Sequence, residues 1–314
     1  MSELQNALLP AGPQAAHIHL LWQIMLVVCT AVFIAVLAAL AYAVARSRRA
    51  GAAPPASQAA AHRWIGFGVA VSTALLAFLF GASLYTDRAL AKLSLANAIH
   101  IELTAHQWWW EATYDDPQPS NVFSTANELH VPVDRPVLIT LKASDVIHSF
   151  WVPNLHGKKD LVPGRTATIS FTADRAGTYR GQCAEFCGFQ HAQMALLVVA
   201  ESADAFETWR KQQRQPAPEP ANDLAKRGRD VVEQGTCGMC HAIAGTEANA
   251  RHAPDLTHIA SRQMLGAGVL ANTRPGRAAW IHNAQALKPG VNMPPQPLAA
   301  ADLDAVLSYL DTLR

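Results

Sequence analysis

Two long apolar runs dominate the first third of the chain, and the pattern changes sharply after them. Leu20 to Ala45 holds no charged residue, and neither does Trp64 to Thr86. A helix crosses a bilayer core with about 20 apolar residues. The runs therefore predict transmembrane helices over 20–45 and 64–86. Residues 1–19 contain no Lys or Arg, so the basic start of a secretory leader is missing. The loop at 46–63 carries Arg46, Arg48, Arg49 and Arg63 and no acid. Positive loops stay in the cytoplasm. Both chain ends, including the N-terminal segment 1–19, are then expected outside it, together with everything after Thr86.

From Ile99 the apolar positions alternate in short stretches broken by Pro, Gly, Asn and Asp. Strands are expected over Ile99–Gln107, Pro136–Lys142, Thr166–Thr172, Gly177–Gly181 and Met194–Val199, at the spacing of a β-sandwich spanning 98–202. Helical spacing returns with Phe206, Trp209 and Arg210. Pro216, Pro218 and Pro220 among polar residues then mark 210–221 as a semi-rigid linker. Residues 222–314 read as a helical module, opened by Asp223–Gln234 and closed by Ala300–Leu313. In the closing helix Leu303, Val306, Leu307 and Leu310 form one apolar face. The fold expected is multi-domain: a two-helix hairpin, an all-β sandwich, then an all-α module.

The net charge of +1 supplies no basic field for nucleic acid. Of the five cysteines, Cys29 sits in the first apolar run as a small packing residue. The others pair by spacing, 183 with 187 and 237 with 240. Disulfides are the default outside the cytoplasm, but both neighbourhoods point elsewhere. Between Cys183 and Met194 lie Cys187 and His191, and His148 stands upstream in Asp145-Val146-Ile147-His148-Ser149. Thiolate, imidazole and thioether suit copper. Two cysteines, two histidines and a methionine exceed the needs of one blue-copper ion and match two copper ions bridged by both thiolates.

Cys237-Gly238-Met239-Cys240-His241 is the c-type haem attachment pattern, in which two thiols take the vinyl groups and the next imidazole faces the iron. A redox dithiol would want a βαβ context, and a zinc site two more close ligands. The module from 222 to 314 resembles a class I cytochrome c. That resemblance implies His241 and Met293 as axial ligands of the haem iron and Cys237 and Cys240 as its covalent anchors. It implies that the Pro254 carbonyl holds the His241 ring, and that Gly228 meets Tyr309 where the first and last helices cross. Met264 competes with Met293 but lacks its proline-flanked loop, and Met239 cannot reach the far face.

Cys-x3-Cys-x3-His-x2-Met with Asp-Val-x-His-Ser resembles the copper A site of cytochrome c oxidase subunit II. Ala105–Trp110, Leu161–Arg165 and Gly181-Gln182 extend the likeness over residues 1–202. The resemblance implies a cupredoxin sandwich in which Cys183 and Cys187 bridge two coppers. His148 and His191 terminate them, Met194 is a weak axial ligand, and the Glu185 carbonyl serves the second metal. It implies a magnesium ion at the Glu185 side chain and Trp108 as the residue through which electrons arrive. Packing is the competing role for Trp109 and Trp110. The remaining histidines, His156 included, are assigned ordinary surface or hydrogen-bonding roles.

With the fused cytochrome, the chain resembles subunit II of a bacterial caa3-type oxidase. Electrons would pass from haem c to copper A and on to the haem of subunit I, where oxygen is reduced. The implied partners are subunit I (haem a or o, with a further copper), subunit III, membrane lipid, and an external donor such as a soluble cytochrome c. The implied location is the bacterial inner membrane, with the soluble domains periplasmic. A nitric oxide reductase subunit and a free-standing membrane-anchored carrier are the alternatives; a quinol oxidase is disfavoured because the copper ligands are all present. One departure stands out: no acid occurs between Trp64 and Thr86, where some members carry a glutamate for proton uptake.

Overall fold

The computed structural model describes residues 5–49 and 58–314; residues 1–4, and 50–57 in the middle of the predicted cytoplasmic loop, lie outside the described residues. The chain divides into a unit of residues 16–93 and a unit formed by 94–314 with the segment before Ala16.

The first unit is helical. α1 (Pro13–Arg49) and α2 (Gln58–Ala91) are both long and apolar enough to cross a membrane. Each runs past its uncharged stretch. Pro13 suits a helix start, and Arg46, Arg48 and Arg49 face the negative end of the α1 dipole. Phe33, Ile34, Phe67 and Phe80 all stand exposed, a surface that suits lipid rather than water.

The second unit contains the sandwich. Its strands are β1 (Ile99–His106), β2 (Trp109–Tyr114), β3 (Phe123–Ala126), β4 (Glu128–Pro132), β5 (Val137–Ala143), β6 (His148–Trp151), β7 (Lys159–Leu161), β8 (Ala167–Phe171), β9 (Gly177–Cys183) and β10 (Ala195–Glu201). One sheet has the order β3-β2-β1-β5-β8 and the other β4-β10-β9-β6-β7. The alternation of β1 buries Ile99, Ile101, Leu103 and Ala105 against Ile139, Leu141, Val198 and Phe150. Full burial of each large side chain is worth roughly 1.5–3 kcal/mol. Of the five predicted strands, β1, β5, β8 and β9 alternate, whereas Ala195–Val198 of β10 are buried in succession. β2 alternates too but lies outside the predicted strands, while β6 is buried on both faces and β7 is only three residues long.

α3 (Ala203–Gln213) follows β10, capped by the Ser202 hydroxyl, which accepts from the Ala205 amide. Phe206 is fully buried, and Trp209 stacks on His130 with ring centroids 4.3 Å apart. This corrects the expected linker: 210–213 belong to α3, because Trp209 and Phe206 anchor that helix to the sandwich. The rest is held rather than free. Arg214 pairs with Asp116 at 3.0 Å, Gln215 O accepts from His258 Nε2 at 3.1 Å, and the Ala217 amide donates to Ala244 O at 2.8 Å.

The helical module contains α4 (Asp223–Gln234), α5 (Arg274–Leu287) and α6 (Ala300–Leu310). α6 stops at Leu310; 311–312 form a turn and 313 is irregular, where the sequence predicted helix to Leu313. α4 crosses α6 at Gly228, where an added Cβ would fall 2.0 Å from Ala305 O and 2.9 Å from the Tyr309 Cβ. Only hydrogen fits there, so the helices approach at backbone distance.

Candidate metal centre and haem site

Strand register assembles the first site. β9 ends at Cys183, which pairs with Phe150 of β6, and its amide donates to Met194 O at 2.9 Å. The loop 184–194 is therefore closed at both ends, with His148 entering from β6. Cys183 Sγ lies 3.7 Å from Cys187 Sγ, 3.8 Å from His148 Nδ1 and 3.1 Å from Glu185 O. Cys187 Sγ lies 3.6 Å from His191 Nδ1 and 3.9 Å from Met194 Sδ. His148, Cys183, Cys187 and Met194 are sealed from solvent, and the first three form a metal-sized cluster.

The donor chemistry fits copper. The neighbouring Cys187 thiol, with His148 and backbone hydrogen bonding at Glu185 and Ser149, pulls the Cys183 thiol far below its ordinary value. Cys187 is pushed up, first by Cys183 and then by burial. The pair gives up one proton readily and resists losing the second, and bound cations remove that resistance. Asp145, unassigned by the sequence reading, orients the imidazole: its Oδ1 meets His148 Nε2 at 2.8 Å, leaving Nδ1 toward the thiol. Its Oδ2 accepts the Gln107 amide at 2.6 Å. An Asp three residues before a candidate ligand was the available signal.

The Cys187 carbonyl is held by two side chains, Gln107 Nε2 at 2.7 Å and Trp108 Nε1 at 2.9 Å. Gly188, at φ +109°, leaves room for both; a Cβ there would meet Gln107 Nε2 at 2.9 Å. Trp109 stacks on His106 at 4.3 Å, and Trp110 is fully buried beside Phe150 and His148. The Glu185 carboxylate is half-exposed and paired with Lys158 at 2.9 Å, outside the sulfur cluster.

The second site stands on turns. Cys237–Met239 forms a single 3-10 turn after α4, and the His241 amide donates to Cys237 O at 3.0 Å. Both thiols are free, with Cys240 exposed. His241 Nδ1 lies 2.6 Å from Pro254 O. Burial holds this imidazole below its ordinary pKa, so it is neutral, and an Nδ1–H donated to Pro254 leaves the Nε2 lone pair open to iron. No second cluster of metal-ligating His, Cys, Asp or Glu occurs among the described residues. Met293 is half-buried in the α5–α6 loop, whose Val291 carbonyl accepts from Gln285. Met264 lies in a short β-ladder with Ala271.

Comparison with known proteins agrees with both halves. The family profile of the cytochrome c oxidase subunit II periplasmic domain matches residues 117–201, and that of cytochrome c matches 225–314. The chain is 37% identical over 219 residues to cytochrome c oxidase subunit 2 of Alkalihalophilus pseudofirmus, covering 69% of this chain and 62% of the relative. It is 34% identical over 230 residues to that of Bacillus subtilis, covering 69% and 63%. The aligned region thus spans less than two thirds of these relatives' length. Among solved structures, the periplasmic domain of subunit II of cytochrome oxidase from Bradyrhizobium japonicum is 28% identical, covering 38% of this chain and 97% of its own, with a TM-score of 0.36. Residues 117–201 therefore belong to the cytochrome c oxidase subunit II periplasmic-domain family, and residues 225–314 behind them to the cytochrome c family.

Proposed function

We propose that this chain is the electron-accepting subunit of a membrane haem–copper oxidase. Electrons arrive at the helical module, cross to the sandwich, and leave for a partner subunit that reduces oxygen. The observation that carries this reading is the convergence of two thiols, two imidazoles, a thioether and a carbonyl through contacts of 3.1–3.9 Å around two adjacent sulfurs. Copper A and haem c, when bound, supply one-electron redox chemistry without making or breaking bonds.

The chain's own residues do the rest. Cys183, Cys187, His148, His191, Met194 and the Glu185 carbonyl would hold the copper. The β6–β9 ladder fixes the donors, so little rearrangement accompanies a change of charge. Asp145 holds the His148 ring, and burial of the cluster excludes water. Cys237, Cys240, His241 and Met293 would hold the haem, with Pro254 fixing the His241 tautomer. The magnesium role of the Glu185 side chain would require the partner to displace Lys158 from that carboxylate.

The helical hairpin supports a membrane anchor, with the arginine-bearing loop cytoplasmic and the soluble domains periplasmic. The partners are the oxygen-reducing subunit, a third subunit, and a soluble donor. The test is electron paramagnetic resonance with optical spectra on the purified full-length protein. A hyperfine pattern from one electron shared by two copper nuclei, with a c-type haem band, is expected. A pattern from a single copper nucleus would overturn the assignment. Oxygen consumption by the purified complex separates it from a nitric oxide reductase, and isolation without a haem-bearing partner would favour a free-standing carrier.

A further inference from the structure

Lys288 is among the most buried side chains of the described residues, 1% exposed. Its ammonium group donates to two backbone carbonyls, one from each module: Trp108 O of the sandwich at 2.8 Å and Gly266 O of the helical module at 2.8 Å. Contacts around it repeat the join. Gln190 Nε2 donates to Pro289 O at 2.7 Å, the Ala195 amide to Ala267 O at 2.9 Å, and the Gln263 amide to Glu128 Oε2 at 3.0 Å. The chain next to Lys288 then lies along the Trp108 ring: a Cβ placed on Gly290 would stand 3.6 Å from both Cζ3 and Cη2. At the other end of that indole, Nε1 donates to Cys187 O at 2.9 Å. Gly290 is three residues from Met293 in the sequence.

We propose that Lys288 is a positioning residue that seats the helical module on Trp108, so that one indole bridges the loop of Met293 and the copper loop at Cys187. This inference rests on the proposed function for its redox consequence; the seat itself does not depend on it. Each side chain or backbone group has one task. Lys288 supplies the donor that two carbonyls share. Gln190 and Ala195, which flank the candidate ligands His191 and Met194, tie the same two loops to the copper face. Gly290 adopts the φ of +88° with which the chain passes along the ring. Burial pushes the Lys288 ammonium down to about 7, which the nearby Cys187 opposes. Such burial is costly for a lysine without a specific role. The step served is the transfer of one electron from the reduced haem to oxidised copper, with no proton or bond exchanged.

The experiment substitutes Lys288→Met in the full-length chain and reads two signals. In the protein as purified, amide hydrogen exchange is followed at Ala195 and Gln263, whose amides cross the join. In loaded protein, haem-to-copper transfer is timed after flash reduction, beside the optical and paramagnetic spectra of both centres. The expected result is about tenfold or faster exchange at those two amides and about tenfold or slower transfer, the consequence of leaving two acceptors without their donor. Both spectra stay unchanged. Lys288→Arg, which keeps donors for both carbonyls, restores most of each signal. Should Lys288→Met fail to fold, Gln190→Ala gives a smaller change of the same sign. Unchanged exchange in Lys288→Met, or in Gln190→Ala where that variant stands in, overturns the seat. Faster exchange with unchanged transfer overturns the indole bridge. Wild-type protein that takes up neither copper nor haem would sink the proposed function, and the exchange result would still decide the seat.

Discussion

The two candidate redox sites of this chain are built in opposite ways. In the sandwich, strand register brings the donors together: His148, Cys183, Cys187 and Met194 are sealed and already in mutual contact. In the helical module the corresponding residues stand on turns and loops. Cys240 is exposed, Met239 is 69% exposed, and Met293 is only half-buried. The difference teaches where each site's order originates. Strands β6 and β9 hold His148 and Cys183 of the first site, whereas the candidate donors of the helical module stand on turns and loops.

The contrast is broken most strongly by removing the proposed haem anchors. Cys237→Ala with Cys240→Ala is expected to melt the helical module while the copper signal persists, as read by circular dichroism and paramagnetic resonance on one sample. Concurrent loss of both would mean the sandwich depends on its neighbour. Next in size is Gly228→Ala. Its Cβ would meet Ala305 O at 2.0 Å, so overpacking should cost the helical module about 1–3 kcal/mol or more in denaturant titration. A neutral result would show that α4 and α6 can part without penalty.

Asp145→Asn sharpens the other side. It keeps the shape but weakens the grip on His148 Nε2, and copper affinity should fall by about 10–100-fold, measured by competition with a chelator. Retention of full affinity would show that β6 alone orients the ring.

The smallest effect is a pH dependence confined to the sandwich. His130 Nδ1 lies 2.9 Å from Glu201 and its Nε2 3.1 Å from Glu128, beneath the Trp209 ring and beside the Tyr114 hydroxyl. Burial lowers its pKa, but the two carboxylates outweigh this and raise it. A raised histidine stabilises the fold fully below the unfolded pKa, and that stability is lost as pH rises through the folded value. Sandwich stability should therefore decline across that window on the alkaline side of ordinary histidine titration. His130→Gln should flatten the decline.

Much of this was legible in the sequence because chemistry and period coincide there. The alternation of Ile99–His106 and the face of Leu303, Val306, Leu307 and Leu310 depend only on local burial. The ligand spacing from Cys183 to Met194 is itself a local pattern. What escaped depends on contacts distant in sequence. β6 is buried on both faces, so its four residues show no alternation. Arg210–Gln213 look like linker until Phe206 and Trp209 are seen packed on the sandwich. Asp145 and Gln107 gain meaning only when a loop 38 residues away closes on β1. Lys288 reaches Trp108 across 180 residues, and no local pattern encodes that.

The most direct test is amide hydrogen exchange on the full-length chain with and without its groups. The account predicts that β6, β9 and β10 are protected equally with and without copper, while α4 and α6 lose protection without haem. Sandwich protection that appears only on adding copper, or a helical module equally protected without haem, would contradict it.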